Sequence, residues 1–264
     1  MNQLNSPVVV TGAVSGIGAA TVASLRVKGI SVIGVDRTVP EEFDGAFVRG
    51  DLGTSAGIEQ VVEEVSTLAP NGISGLANIA GVPGTAPWRT VLNVNVFAVR
   101  DLTRGLAPLL VPGAAVVNLA SSVAWDWRGN APELGAFALA ADREKALALV
   151  STAIESSGES YLFSKQCVML LTGEFAAENL SAGIRVNSVS PGPVQTPILK
   201  DFKADHGAAK VEGAAALLGR FGEPEDIAEV VLFLLSESSR WINGTDIRVD
   251  GGLTAYRTSA VALG

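Results

Sequence analysis

Two hydrophobic periods alternate along the chain. Short, β-branched apolar runs come first: "VVVTG" closing at Gly12, "GISVIGVD" at Asp36, "GAFVRGD" at Asp51, "ISGLANIAG" at Gly81 and "AAVVNLASS" at Ser122. Two more, "GIRVNSVSP" and "GTDIRVDGG", follow in the C-terminal half. Between them lie segments whose apolar residues recur every three or four positions, at 16–28, 58–68, 91–110, 161–179 and 224–236. The first period fits strands buried on both faces and the second fits helices. Such strands alternating with helices predict an α/β fold with a doubly wound parallel sheet. With no linker and no repeat, 1–264 reads as one domain.

Composition narrows the classes. With 48% apolar residues and 29 glycines in 264, the chain buries a large core and turns tightly. A net charge of −8 opposes any general affinity for nucleic acid or anionic lipid, both of which need a basic field. The most apolar stretch, "IAEVVLFLLS", is far too short for a membrane span. "MNQLNSPVVV" has no basic leader region, so a cytoplasmic location is expected. One cysteine, Cys167, and one histidine, His206, leave neither an internal disulfide nor a Cys/His metal site, and no metal is expected.

The first chemical motif is "TGAVSGIGAAT", placed after the first strand and opening the first helix. Gly12 permits the tight turn, Gly16 a close backbone approach and Gly18 the contact of helix with sheet. The helix N-terminus then offers free N–H groups to a pyrophosphate. The next strand ends in Asp36, eighteen residues after Gly18. An acid there accepts hydrogen bonds from ribose hydroxyls and repels a 2′-phosphate, which predicts NAD over NADP. Arg37 opposes it, since a guanidinium partly offsets the repulsion.

A second motif, "SYLFSK", places Tyr161 and Lys165 four residues apart, on one face if the segment is helical. Free tyrosine has a pKa of about 10 and is a poor base at neutral pH. A nearby ammonium together with an oxidised nicotinamide lowers that value, since two close cations stabilise the phenolate.

Taken in order, these motifs resemble the short-chain dehydrogenase/reductase superfamily over essentially the whole chain. "TGAVSGIG" is similar to its cofactor loop, with Ser15 and Ile17 among the contacts that the resemblance implies. Asp51 and Leu52 match its adenine-contacting pair, and "NIAG", with Asn78, Ala80 and Gly81, resembles its Asn-Asn-Ala-Gly motif. Asn95 falls at its helix asparagine and "YLFSK" at its Tyr-xxx-Lys, while "NSVSPGPVQTP" resembles its Pro-Gly segment. The resemblance implies a Rossmann-type fold binding NAD and a small-molecule alcohol or ketone. It makes Tyr161 the proton-transferring residue, Lys165 the holder of the nicotinamide ribose, Asn95 part of a water-borne relay, and Ser121 rather than Ser122 the serine on the substrate oxygen. Pro191, Gly192, Val194 and Thr196 then meet the nicotinamide; Thr196 also reads as a helix N-cap.

From Ser121 to Tyr161 the gap is 40 residues, far longer than usual in the superfamily. The extra length resembles that of bacterial 3α-hydroxysteroid dehydrogenase/carbonyl reductases. This insert, at about 125–158, reads as helical, with Leu147, Val150 and Ile154 forming an apolar stripe that needs a partner. It lies beside the helix through which relatives build tetramers. The expectation is therefore a homodimer through the last strand and the 224–236 helix, with a substrate lid as the competing role. Ile198, Leu199, Phe202, Leu217 and Leu218 are expected over the substrate. Trp125 and Trp127 either line the pocket or anchor the insert. These residues suggest an apolar secondary alcohol or ketone, cyclic or steroid-like, and no segment reads as a site for an acidic substrate. A carrier-protein-linked ketoacyl reductase and a non-catalytic dinucleotide sensor are the alternatives.

Overall fold

Each of the seven apolar runs is a strand: β1 Val8–Thr11, β2 Val32–Asp36, β3 Ala46–Arg49, β4 Ile73–Asn78, β5 Leu110–Leu119, β6 Arg185–Pro191 and β7 Asp246–Val249. The computed structural model describes residues 6–154 and 157–259. The strands form one parallel sheet in the order β3-β2-β1-β4-β5-β6-β7. Strand order reverses between β1 and β4, which opens a crevice beyond the carboxyl ends of the strands.

Helices cover both faces: α1 Gly16–Val27, α2 Ser55–Leu68, α3 Trp88–Leu92, α4 Ala98–Leu106, α5 Ala131–Ala138, α6 Arg143–Val150, α7 Ser157–Glu178, α8 Leu199–His206, α9 Ala208–Leu218, α10 Pro224–Leu235 and α11 Leu253–Arg257. Successive side chains of a strand point to opposite faces, and β1 uses both. Val8 and Val10 pack with Val22 and Leu25 of α1 and Ile227 and Val231 of α10. Val9 packs on the other face with Val61 of α2, Leu102 of α4 and Leu171 of α7.

Two predicted helices differ from the structure. The segment expected as one helix over 91–110 begins at Trp88, widens into a π-helical turn at Asn93–Phe97, resumes as α4, and yields to β5 at Leu110. The widened turn carries Asn95, whose carboxamide is drawn aside to the loop after β4. The insert is a 3-10 turn, Trp127–Asn130, followed by two short helices, α5 and α6. Pro132 sits in the first turn of α5, and Asp142 starts α6 by accepting from Lys145 N–H at 3.0 Å.

The insert's stripe finds its partner within the chain. Phe137 stacks at 5.0 Å from Phe97 and 5.1 Å from Phe163, and Leu134, Leu147 and Ile154 join the same buried cluster. Arg100 of α4 donates to the carbonyls of Ala138 and Ala140 at 3.1 and 2.7 Å, closing the end of α5. The insert therefore lies over the faces of α4 and α7.

Candidate active site

Beyond β1, the backbone turns at Gly12 with φ +68° and again at Gly16 with φ +49°, values that glycine adopts without strain. Gly18 packs beneath the first turn: a β-carbon on it would stand 1.9 Å from the Gly12 oxygen. Thr11, which the sequence motif included without assigning a task, ties this loop to the end of β4. Its hydroxyl accepts from the N–H groups of Ile79 and Ala80 at 2.9 and 3.0 Å.

The residues present fit a dinucleotide. The N-terminus of the 12-residue α1 opens over a floor without side chains, at Gly12 and Gly16. Asp36 ends β2 beside it, accepting from Val14 and Thr38 N–H at 3.4 and 3.0 Å, with oxygen lone pairs remaining for ribose hydroxyls. Arg37 and Ser15 are exposed next to it. Asp51 is exposed and accepts from Gly53 N–H, while Leu52 is buried.

Asn78, expected to contact the cofactor, has another task. It is 3% exposed, and its amide donates to Thr103 and Asn118 at 3.0 and 2.9 Å; Asn118 in turn donates to Thr172. The side chain is a link in a buried polar ladder across β4, β5 and α7. Gly81 does line the cleft, and the Ala80 backbone lies against Gly12 of the glycine loop.

At the end of β5, Ser121, Ser122, Tyr161 and Lys165 line one cleft of about 220 Å³, joined by Pro191, Gly192, Val194 and Thr196 from beyond β6. The Ser121 hydroxyl hydrogen-bonds Tyr161 and favours its ionised form. Ser122 begins a 3-10 turn. Lys165 is buried and donates from Nζ to the Leu119 carbonyl at 2.7 Å; Nζ lies 5.7 Å from the centre of the Tyr161 ring.

Without a bound cofactor, burial governs the protonation of this pair. Burial pushes the Tyr161 phenol up to about 12, with the Ser121 hydrogen bond acting against it, and burial pushes Lys165 down to about 8. Both shifts disfavour charge, because the low-dielectric site penalises phenolate and ammonium alike. In this arrangement the Lys165 ammonium is turned to the Leu119 carbonyl.

Asn95 is buried in the widened turn. Its Oδ1 accepts from Val82 N–H at 2.9 Å, and its amide donates to the Val82 carbonyl and to the Ser164 hydroxyl, both at 3.1 Å. Both amide hydrogens are therefore committed, and the carboxamide holds the loop after β4 against α7.

The segment 195–221 leaves and returns through a parallel bridge between Val194 and Gly222 and carries α8 and α9 over the cleft. Phe202 meets Tyr161 edge-on at 5.1 Å, and Ile198 and Leu199 also line the cleft, as expected; Leu217 and Leu218 do not. Leu217 is exposed and Leu218 packs against Gly251. Trp125 and Trp127 lie outside the cleft, with Trp127 packed on the core under the insert. Sequence reading missed Lys210 of α9 and Arg257 of α11, which line the cleft although no acidic residue does. Among the described residues there is no group of side chains able to hold a metal ion, and no helix is long and apolar enough to cross a membrane.

Known proteins share this arrangement. A family model described as short chain dehydrogenase matches residues 6–131, and one described as Enoyl-(Acyl carrier protein) reductase matches residues 146–254. The residues between the two matches, 132–145, belong to the insert. A coniferyl-alcohol dehydrogenase from Pseudomonas sp. is 36% identical, covering 97% of this chain and 99% of its own. A 3-alpha-hydroxysteroid dehydrogenase/carbonyl reductase from Comamonas testosteroni is 34% identical over 95% and 97%. The crystal structure of a 3-alpha-hydroxysteroid dehydrogenase from Pseudomonas sp. B-0831 complexed with NADH superposes with a TM-score of 0.86 at 33% identity, covering 97% of this chain and 99% of that one.

Proposed function

The chain belongs to the short-chain dehydrogenase family, and on that footing we propose that it is an NAD(H)-dependent oxidoreductase interconverting an apolar secondary alcohol and its ketone. The observation that carries this reading is the convergence of Ser121, Tyr161 and Lys165 on one largely apolar cleft at the end of β5. Relatives named as alcohol and hydroxysteroid dehydrogenases, one of them solved with NADH, support it.

Each residue has a task in this reading. Gly12, Gly16 and Gly18 make room for the pyrophosphate at the start of α1, and Asp36 holds the adenosine ribose. Bound oxidised nicotinamide supplies a two-electron acceptor for the carbinol hydride and a positive charge in the cleft. Ser121 donates to the substrate oxygen and Tyr161 takes the hydroxyl proton, so the alcohol loses a hydride from carbon and a proton from oxygen. Lys165 holds the ribose hydroxyls and, as an ammonium below about pH 8, joins the nicotinamide charge in favouring the phenolate that burial opposes. Ile198, Leu199 and Phe202 exclude water from the reacting carbon. The protein acts as a homodimer.

NADH formation across a panel of cyclic, steroidal and aromatic alcohols tests the reading. Oxidation of at least one of these with NAD is expected; silence across the panel, with NAD bound, overturns it. A carrier-protein reductase is disfavoured by Asp36 and the net charge of −8. A non-catalytic sensor has no use for a complete Ser-Tyr-Lys set.

A further inference from the structure

Two cations reach an otherwise apolar cleft from elements remote from the catalytic group. Lys210, Val211 and Ala214 present one face of α9 to the cleft, and Leu253 and Arg257 one face of α11. Neither Lys210 nor Arg257 forms an ion pair among the described residues. Lys203, next to Phe202 but not lining the cleft, is by contrast paired with Glu212 at 3.2 Å. Acidic residues outnumber basic ones by eight in the chain, yet among the described residues none that lines the cleft is Asp or Glu. Lys165 is no substitute for the outer pair, since it is buried and held by the Leu119 carbonyl.

From this juxtaposition we propose that the substrate is an alicyclic or aromatic alcohol bearing a carboxylate remote from its carbinol, with Lys210 and Arg257 as the residues that select the anion. The proposal rests on the dehydrogenase reading above and names its substrate class. The apolar walls, Val211, Ala214, Leu253 and Phe202, take the ring. The two cations stand on separate helices that line the same cleft, and a guanidinium fork suits a carboxylate. The cofactor's pyrophosphate is the other anion nearby, but its place is the start of α1, and the apolar residues flanking the two cations are those of a substrate wall. Positive charge at a cleft of an acidic protein also steers anions toward it.

The test compares 4-hydroxycyclohexanecarboxylate with its methyl ester as substrates for the NAD-loaded enzyme. The acid is expected to exceed the ester in kcat/KM by roughly tenfold, the ratio shrinking as salt rises because both cations are exposed. Lys210→Ala with Arg257→Ala should bring the ratio close to one. Lys210→Arg should preserve it, and Lys200→Ala, a lysine outside the cleft, should leave it unchanged. A second arm needs no turnover: calorimetry of cyclohexanecarboxylate and its methyl ester with the NAD-loaded enzyme, expected to favour the acid in wild type and not in the double variant. Oxidation of both alcohols at equal efficiency overturns the proposal while leaving the dehydrogenase reading intact. A double variant that raises the KM for NAD and keeps the acid/ester ratio overturns it too, assigning the cations to the cofactor. Selective binding of the acid without turnover of any alcohol upholds anion selection and defeats the dehydrogenase reading instead.

Discussion

Gly18 sits so close beneath Gly12 that a β-carbon on it would stand 1.9 Å from the Gly12 oxygen. The backbone of the glycine loop cannot yield without moving the turn that opens α1. Gly18→Ala is expected to cost on the order of 3 kcal/mol or more by overpacking and to abolish NAD binding in whatever protein still folds. Gly173, inside α7, has nothing within 4 Å of its would-be β-carbon. Gly173→Ala is expected to stabilise by about 0.5–1 kcal/mol. Thermal melts of the two variants check the contrast; equal effects would contradict the close packing of the loop.

Lys165 provides a stability prediction with a definite sign. Its ammonium is buried, and its pKa falls from 10.5 to about 8. Between these values the unfolded chain binds more protons than the folded one, so this group's penalty is complete below about pH 8 and is relieved as pH rises toward 10.5. Lys165→Met is therefore expected to raise the stability of the cofactor-free protein near pH 7 by roughly 1–3 kcal/mol, after allowing for the lost bond to Leu119, and by little above pH 10.5. The same variant loses turnover, a trade of stability for function. Tyr161 acts in the other window: with its pKa raised to about 12, its contribution is lost as pH rises from 10 through 12. Melts of wild type and variant at several pH values give both signs; a destabilised variant at pH 7 would refute the argument.

Turnover separates the roles within the catalytic group. Tyr161→Phe removes one oxygen and should reduce kcat about a hundred- to ten-thousandfold with NAD affinity nearly unchanged. Lys165→Ala should damage both kcat and NAD binding. Ser121→Ala should cost more than Ser122→Ala, because only the first hydroxyl bonds Tyr161. Steady-state kinetics with cofactor titrations check the order, and a reversal of the two serines would displace Ser121 from the site.

The strands were legible because burial on both faces demands continuous apolar runs, and "VVVT" or "RVNSVSP" has few other uses. The approach of Tyr161 and Lys165 to one cleft was legible as spacing, since a helix brings them to one face. What escaped depends on contacts between distant segments. Nothing local to Asn78 shows that Thr103 and Asn118 will take its amide hydrogens. The widened turn at Asn93–Phe97 answers to Val82 and Ser164, both remote in sequence from part of what they shape. The lowered pKa expected of Tyr161 counted the charges of Lys165 and an oxidised nicotinamide and left out the burial that acts against them. Lys210 and Arg257 looked like ordinary surface cations until α9 and α11 set them on one cleft.

Asp36 is expected to decide between cofactors. Its carboxylate ends β2 beside the glycine loop, where a 2′-phosphate would meet it at short range. Two like charges a few ångströms apart near a surface repel by about 1–4 kcal/mol. Asp36→Ala should therefore raise the NADP/NAD ratio of kcat/KM by roughly tenfold or more. The exposed Arg37 would help NADP once the acid is gone. Wild type that prefers NADP would sink the argument, whatever the variant does.

The insert leads to the expected assembly. α5 and α6 occupy the faces of α4 and α7, anchored by Phe137 between Phe97 and Phe163 and by Arg100 on the carbonyls of Ala138 and Ala140. A second copy cannot pack on those helices as long as the insert stays in place. β7 at the sheet edge and α10 beside it remain open, and α10 presents Phe233 at 40% exposure. The expected assembly is a homodimer through β7 and α10. Solution scattering should give a dimer, and Phe233→Asp should shift it toward monomer with the melting temperature little changed, since the side chain already faces solvent within one chain. Phe137→Ala separates this from a general loss of structure: it should cost about 3–5 kcal/mol by emptying the insert's anchor. A tetramer in contact through α4 and α7 would contradict the prediction, and so would a dimer indifferent to Phe233→Asp.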